Sequence, residues 1–157
     1  MSFERARAHL QARGLAEHII VPRHSSATVA EAAEALGCKP GMIAKTLSFL
    51  QGDKAVLVLA EGTARVDNRK YRDCFGCKAK MIPGERVEAL VGHGVGGVCP
   101  FGINAGIPVY LDESMQRFES VYPAAGSGSS MIHLDLEELY SYSNALGWVD
   151  VCKLPGE

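Results

Sequence analysis

Apolar residues recur at the spacing of one helical face in five segments of the chain. The clearest segment begins at Thr28, which forms a capping box with Glu31, and ends before Gly37. Asp67 and Asp135 each occupy the expected N-cap position of another helix. The pattern predicts helices over residues 3–13, 28–36, 67–75, 84–91 and 135–143.

At Ile43 the period changes to two, which is typical of a β-strand. A turn at residues 51–53 separates this run from residues 54–60, which are apolar on both faces. The two runs predict a hairpin whose second strand lies inside a sheet. Shorter β-prone runs predict strands at residues 18–21, 108–111, 121–125, 131–134 and 148–152. The middle of the chain therefore mixes helices and strands.

The composition is typical of one globular domain, residues 1–157. With 47% hydrophobic and 22% charged residues, the chain can bury a real core. Its longest apolar run, residues 55–60, is far shorter than the roughly 20 residues that cross a bilayer. The N-terminal residues lack the apolar stretch of a secretory signal. We therefore expect a cytoplasmic protein that does not insert into a membrane.

The net charge of −2 excludes a protein that coats duplex DNA by charge alone, because such binding needs many phosphate contacts. One basic region remains, at residues 65–80. This region could hold a few phosphates of a strand end, or it could be a solvated helix face. Its basic residues are Arg65, Arg69, Lys70, Arg72, Lys78 and Lys80.

The five cysteines are an odd number and do not form the framework of a secreted disulfide protein, so we expect reduced thiols. Cys74 and Cys77 form a C-x-x-C motif. A zinc site would need a second ligand pair, and a redox site would need a strand-to-helix setting. Two cysteines packed near a helix end are the simpler interpretation, with a zinc or redox protein as the rival hypothesis.

Lys45 is anomalous because it shares a strand face with Ile43, Leu47 and Phe49, where the pattern places the core. Burial lowers the pKa of a lysine, which is how proteins use lysines as bases, nucleophiles or oriented charges. Alternatively, Lys45 lies at the strand end and extends its amine to water. Both interpretations remain open from the pattern alone.

A glycine-rich segment, residues 92–106, holds six of the 17 glycines. Its G-x-G-x-x-G spacing lacks the preceding strand and following helix of a dinucleotide site. The segment is either a plain connection or a loop whose backbone amides line an anion or oxyanion pocket. Cys99 within it is a possible nucleophile, and His93 and His133 are the candidate partners.

Several motifs in order carry a family resemblance: residues 26–33, 43–47, 56–59, 65–67 with Lys70, 94–102, 109–114 and 124–127. Together they resemble the YbaK/EbsC family of trans-acting editing proteins, which are related to the insertion domain of bacterial prolyl-tRNA synthetase. The resemblance implies an α+β domain with a mixed, mostly antiparallel, barrel-like sheet surrounded by helices. It also implies hydrolysis of the ester that joins a wrong amino acid to tRNA, without a metal or cofactor.

In this family the lysine of the K-T-L segment is essential for activity, and Lys45 matches it. The loop from Gly96 to Pro100 is implied to hold the aminoacyl group and the 3′-terminal ribose. Cys99 departs from the serine, alanine or proline expected at its position. The residues implied or expected to bind substrate are Thr46, Gly96, Gly97, Val98, Cys99, Pro100, Phe101, Gly102, Gly126 and Ser127.

The implied partner is the acceptor 3′ end of aminoacyl-tRNA, with Arg65, Arg69 and Lys70 as candidate phosphate contacts. Prolyl-tRNA synthetase is a second candidate partner. Thr46 is more typical of members that act on cysteinyl-tRNA(Pro) than of alanine-specific ones, so a small wrong amino acid such as Cys or Ala on tRNA(Pro) is the expected substrate. The alternative is a non-catalytic module of the same fold that binds a tRNA end or a synthetase.

Overall fold

The computed structural model describes residues 2–22, 28–127 and 129–156. Within these residues the helices are α1 (Ser2–Gln11), α2 (Val29–Leu36), α3 (Asn68–Phe75), α4 (Gly84–Val91) and α5 (Leu136–Tyr142). Short 3₁₀-helices cover Ala16–His18, Pro40–Met42 and Glu113–Arg117. The strands are β1 (Ile19–Ile20), β2 (Ile43–Gln51), β3 (Lys54–Glu61), β4 (Arg65–Val66), β5 (Val109–Asp112), β6 (Ser120–Pro123), β7 (Met131–Ile132), β8 (Leu134–Asp135), β9 (Gly147–Val149) and β10 (Cys152–Lys153).

The main sheet has six strands in the order β8-β6-β2-β3-β5-β9. Strands β2 and β3 form the antiparallel hairpin expected from the sequence, with Lys45 opposite Ala60. Strand β6 runs parallel to β2, and β5 runs parallel to β3 and β9, so β3 lies inside the sheet. The curled mixed sheet with helices around it confirms the α+β class. In the described parts of the chain, every helix is too short or too polar to cross a bilayer.

Both faces of the central hairpin are covered by apolar clusters. One face packs into the main core, to which Leu50, Leu57 and Leu59 contribute. The other face packs on a second cluster, where Phe49 meets the buried ring of Tyr71 from α3 at a centroid distance of 4.8 Å. Burial on both sides explains why residues 54–60 lack an alternating pattern.

The three N-cap side chains predicted from the sequence are present, and at the predicted Thr28 capping box the Glu31 carboxylate accepts from the Thr28 hydroxyl. Thr28 Oγ1 accepts a hydrogen bond from the Glu31 backbone N–H at 3.1 Å, and Asp67 accepts one from Lys70 N–H at 3.0 Å. Asp135 forms a complete capping box at the start of α5. These side chains satisfy N–H groups that have no partner within the first helical turn.

Two runs predicted as single strands are each divided in the structure. Residues 131–134 split at His133, because β7 pairs with β1 whereas β8 pairs with β6. Residues 148–152 split because β9 joins the main sheet whereas β10 pairs with β4. A local pattern reports β-propensity but not the partner strand, so it cannot place such divisions.

Candidate functional site

A cavity of about 370 Å³ opens between α2, β2, α4 and the glycine-rich segment. Among the described residues, Lys45 carries the one charged side chain in its lining. The lining residues are Thr28, Val29, Ala32, Ile43, Ala44, Lys45, Thr46, Ser48, Ile82, Gly84, Val87, Val95, Gly96, Val98, Tyr122, Ala124, Ser127, Ser130 and Met131. Such a wall of apolar groups, hydroxyls and one cation suits a neutral ligand with an electron-rich centre.

Lys45 is half-buried at the wall of this cavity. Its amine donates hydrogen bonds to the carbonyl oxygens of Gly62, at 3.3 Å, and Ala64. Burial lowers the pKa of Lys45 from its ordinary value, and the nearby carboxylate of Glu61 opposes that shift. The amine is therefore fixed by backbone acceptors, in contrast to the solvated lysine of the alternative interpretation.

Thr46 lies next to Lys45 on β2 and also lines the cavity. Its Oγ1 is buried and has no hydrogen-bond partner in the structure. Across the cavity, the hydroxyls of Ser127 and Ser130 lie 2.6 Å apart, and Ser130 Oγ donates to the Ala125 carbonyl oxygen. Because an unpaired buried hydroxyl is costly, the Thr46 group is available to a polar atom of a ligand.

The glycine-rich segment divides into two parts with different roles. Gly96 and Val98 line the cavity, together with Val95, whose side chain is 76% exposed. Beyond them, Phe101 is fully buried in the main core, and the Gly102 N–H donates to His9 Nδ1 of α1 at 3.0 Å. The second part therefore anchors the first to α1.

Three glycines of the predicted site allow backbone segments to pack closely against one another. They are Gly97, Gly102 and Gly126. A Cβ at Gly97 would lie 2.6 Å from the Gly126 carbonyl oxygen, so these two segments touch. Gly126 and Gly102 have φ values of +94° and +71°, and a Cβ at either would collide with the backbone of α1. Glycine is required at these positions by contact and conformation together.

The implied catalytic residue Lys45 and four of the residues implied to bind substrate line the cavity. These four are Thr46, Gly96, Val98 and Ser127. Gly97 and Gly126 lie directly behind this group, as their mutual packing shows. Cys99, Pro100 and Phe101 are buried, and with Gly102 they are outside the cavity lining.

Cys99 is fully buried, and burial raises the pKa of its thiol to about 12. His93 approaches it, with Nε2 3.5 Å from Cys99 Sγ, but Nε2 also lies 2.6 Å from the Phe101 carbonyl oxygen and donates to it. Burial lowers the pKa of His93, so both groups stay neutral near pH 7. A thiolate nucleophile at Cys99 is therefore disfavoured.

Thiol labelling of the folded protein should distinguish the cysteines. We expect the exposed Cys74 to react with a water-soluble aromatic disulfide at least about 100-fold faster than the buried Cys99 or Cys152. The rates are measured by absorbance, and a Cys74→Ser variant should lose the fast phase. Labelling of Cys99 as fast as Cys74 would contradict its closed environment.

The candidate phosphate contacts lie on one side of the second cluster. Arg65 and Arg69 are exposed, whereas Lys70 donates to Asp150 Oδ1 at 3.2 Å and to the Cys152 carbonyl oxygen at 3.0 Å. Lys70 thus ties α3 to β10 in the structure. Within the described residues, no group of three His, Cys, Asp or Glu side chains is arranged to hold a metal ion.

Sequence reasoning missed most of the apolar cavity wall and a buried carboxylate, Glu61, near Lys45. Val29 and Ala32 were part of the α2 stripe that the pattern assigns to the core, and Ile82 and Met131 carried no chemical signal. Glu61 follows the apolar run of residues 55–60, which was the only sign that it could be buried.

Comparison with known proteins adds independent information. Residues 24–142 match the family described as an aminoacyl-tRNA editing domain. The uncharacterized protein YwhH of Bacillus subtilis (strain 168) is 44% identical over 154 residues, which is 98% of each chain. The Enterococcus faecalis protein named "Putative Cys-tRNA(Pro)/Cys-tRNA(Cys) deacylase EbsC" is 32% identical over 115 residues, 71% of this chain and 70% of that one.

A solved structure described as "a putative trans-editing enzyme for prolyl tRNA synthetase" has the same fold. It superposes with a TM-score of 0.87, at 31% identity, over 97% of both chains. The family match includes α2, β2, α4 and the glycine-rich segment, which are the elements around the cavity. Its first residues, 24–27, and the first two residues of the motif at 26–33 lie outside the described residues.

Proposed function

Because the chain belongs to the aminoacyl-tRNA editing domain family, we propose that it is a deacylase that hydrolyses the ester of mischarged aminoacyl-tRNA. The observation that carries the proposal is the amine of Lys45, a residue that lines the cavity: two carbonyl oxygens hold the amine, and the other described lining residues are uncharged. The cavity receives the aminoacyl group and the terminal ribose, and Lys45 orients the ester electrostatically.

An activated aminoacyl ester is labile, so the site has to position it and stabilise the oxyanion of the tetrahedral intermediate. Preorganised donors contribute about 3 kcal/mol each to such stabilisation. The Lys45 amine and the Thr46 hydroxyl are the donors on β2, and Val98 lines the same cavity. No protein nucleophile is required. The attacking group is water, a ribose hydroxyl that takes the acyl group and then gives it to water, or a thiol of the substrate, which expels the ribose oxygen and forms a thiolactone that water opens.

A small, neutral amino acid is the proposed substrate. In the described lining, an acidic or basic side chain would meet mostly apolar groups and hydroxyls, with no carboxylate to pair with a cation. Cysteine or alanine attached to tRNA(Pro) fits this requirement, and the name of the Enterococcus relative supports cysteine. Such a substrate is found in the cytoplasm, which is where we place the protein.

The proposed macromolecular contact is the acceptor end of the tRNA, with prolyl-tRNA synthetase as a further partner. Arg65 adjoins Ala64, whose carbonyl oxygen accepts from Lys45, so the exposed basic side chains begin beside the proposed catalytic amine. A protein that binds only the 3′ end contacts few phosphates, and a net charge of −2 is compatible with such transient binding.

Arg69→Ala should raise KM about three- to tenfold and leave kcat nearly unchanged, because a phosphate contact positions the tRNA and takes no part in the reaction. The slope of log KM against log salt should decrease by about one. Arg7→Ala, which removes an exposed arginine of α1, is the matched control. Equal effects of Arg69→Ala and Arg7→Ala on KM would indicate only a loss of general electrostatic attraction for the tRNA.

A panel of tRNAs charged with Cys, Ala, Ser, Thr and Pro tests the function directly. We expect hydrolysis of Cys-tRNA(Pro) or Ala-tRNA(Pro) at a rate above the spontaneous one, and no acceleration for Pro-tRNA(Pro). Binding without hydrolysis across the panel would support the non-catalytic module instead. Flat time courses and no binding would exclude both functions.

A further inference from the structure

Glu61 at the end of β3 is a fully buried carboxylate. It forms an ion pair with Arg117 of the last 3₁₀-helix, whose side chain is 47% exposed, and it accepts a hydrogen bond from Thr63 Oγ1. Burying an ion costs several kcal/mol unless it is paired and hydrogen-bonded, so both contacts are needed to keep this group in place.

Close packing leaves the carboxylate little freedom to move. A Cβ at Gly41 would lie 2.5 Å from Glu61 Oε2, and it would also collide with the ring of Phe118. The Glu61 backbone N–H donates to Ser114 Oγ at 3.2 Å. The side chain is thus held between two 3₁₀-helices, Pro40–Met42 and Glu113–Arg117.

The turn that follows Glu61 is the same turn that holds the Lys45 amine. The Ala64 backbone N–H donates to the Glu61 carbonyl oxygen at 3.1 Å and closes the turn. Within it, the carbonyl oxygens of Gly62 and Ala64 accept from Lys45 Nζ, and the hydroxyl of Thr63 donates to the Glu61 carboxylate. The carboxylate and the amine therefore hold one turn from two sides.

We propose that Glu61 is a positioning residue for Lys45: its carboxylate holds the turn at residues 62–64 in the shape that binds the amine, and its negative charge stabilises the positive charge of that amine. This inference rests on the proposed catalytic role of Lys45. Arg117 also contributes to this arrangement, because it stabilises the buried Glu61 carboxylate and partly offsets its charge.

The charged and titratable groups around the Lys45 amine are consistent with the proposed role of Glu61. Among the described residues, the groups that act on Lys45 are, largest first, Cys152 of β10, Glu61 of β3 and Arg65 of β4. Burial raises the pKa of Cys152 to about 12, so its thiol is neutral near pH 7. The positive charge of Arg65 disfavours the ammonium form of Lys45. Glu61 is therefore the anion that opposes the effect of burial on Lys45.

Titration of Lys45 by NMR tests the inference without any substrate. The Lys45 side-chain signal is identified by its absence from Lys45→Ala, and its midpoint is followed with pH in the wild type and two variants. Glu61→Gln, which retains an acceptor for Thr63 and Arg117, should lower the midpoint by about half a pH unit or more. Arg117→Gln should raise it, because it removes a cation that offsets the carboxylate.

Opposite shifts in the two variants would support the proposal, since a general loosening of the fold would move both midpoints in one direction. Glu113→Gln, at an exposed carboxylate of the same 3₁₀-helix, is the control and should leave the midpoint unchanged. An unchanged midpoint in Glu61→Gln, or shifts of the same sign, would overturn the proposal.

Kinetics supply the second measurement. Glu61→Gln should lower kcat at least about tenfold while KM changes less than threefold, because a neutral amide holds Thr63 and Arg117 through weaker hydrogen bonds than a carboxylate, which displaces the amine and leaves the cavity intact. Unchanged kcat would also overturn the positioning role. If Lys45→Ala itself leaves deacylation unchanged, the proposed function of Lys45 fails, and the titration still decides whether Glu61 controls its charge.

Discussion

Lys45→Ala is expected to lower the rate of aminoacyl-ester hydrolysis by at least about 100-fold, which is the size of effect seen when a preorganised donor of a catalytic site is removed. Lys45 is half-buried and is the one charged residue in the part of the cavity lining that the structure describes. Without it, the described lining of the cavity has no cation to face the ester. The measurement is the initial rate of deacylation of Cys-tRNA(Pro) at saturating and limiting substrate.

The fold should survive this change. The carbonyl oxygens of Gly62 and Ala64 lose a donor, but the site opens to the cavity, where water can replace the amine. We expect the free energy of unfolding to fall by about 1–2 kcal/mol in urea titrations. Lys54→Ala, which removes an exposed lysine of the adjacent strand β3, is the control and should leave the rate unchanged.

Lys45→Arg tests whether a positive charge at this position is sufficient or whether the compact shape of the ammonium group is also needed. Arginine keeps a positive charge but has a planar group that does not fit the acceptors of a compact ammonium, so recovery should be partial at most. A Lys45→Ala enzyme with a rate within threefold of the wild type would remove Lys45 from the mechanism. In that case the cavity would be a binding site only.

Gly97→Ala should lower deacylation about 100-fold, because its Cβ would lie 2.6 Å from the Gly126 carbonyl oxygen and 3.1 Å from the Gly126 carbonyl carbon. The contact is with backbone, which cannot move aside as a flexible side chain can. The segment that carries Gly96 and Val98 must then move away from the turn that carries Ser127. A displacement of about 1 Å in a catalytic site can cost about 100-fold in rate.

The same substitution should also lower the free energy of unfolding by about 1–3 kcal/mol, as overpacking does. Gly147→Ala is the matched control, since a Cβ there meets no atom within 4 Å, and its rate should match that of the wild type. Thermal and urea unfolding separate loss of fold from loss of geometry. Wild-type activity in Gly97→Ala would show that the contact between the two segments is not needed for the reaction.

The helices and the central hairpin could be predicted because their information is local. Thr28, Asp67 and Asp135 cap the helices that follow them, and the change of period at Ile43 indicates β2. The division of residues 131–134 and 148–152 could not be predicted, because it depends on which distant strand each half meets. Strand β4 is only two residues long and was missed for the same reason.

For the candidate site, the pattern singled out Lys45 as a charged residue on an apolar strand face, but it left a solvated lysine as the alternative. The acceptors that hold its amine come from a turn 17 and 19 residues away in the chain, so only the folded hairpin reveals them. Cys99 was a candidate nucleophile from its neighbours in sequence. Its full burial in the main core removes the basis for a reactive thiol.

By itself, the sequence determined the elements, the mixed α and β character and the residue with anomalous chemistry, because helix and strand periodicity and capping act over a few residues. Its motif order also pointed to the family that the comparisons later showed. Tertiary structure alone decided which part of the glycine-rich segment faces the cavity and which packs on α1. It also placed the Glu61 carboxylate beside the turn that holds Lys45. Burial, charge pairing and backbone contact are properties of distant segments brought together, and no local pattern contains them.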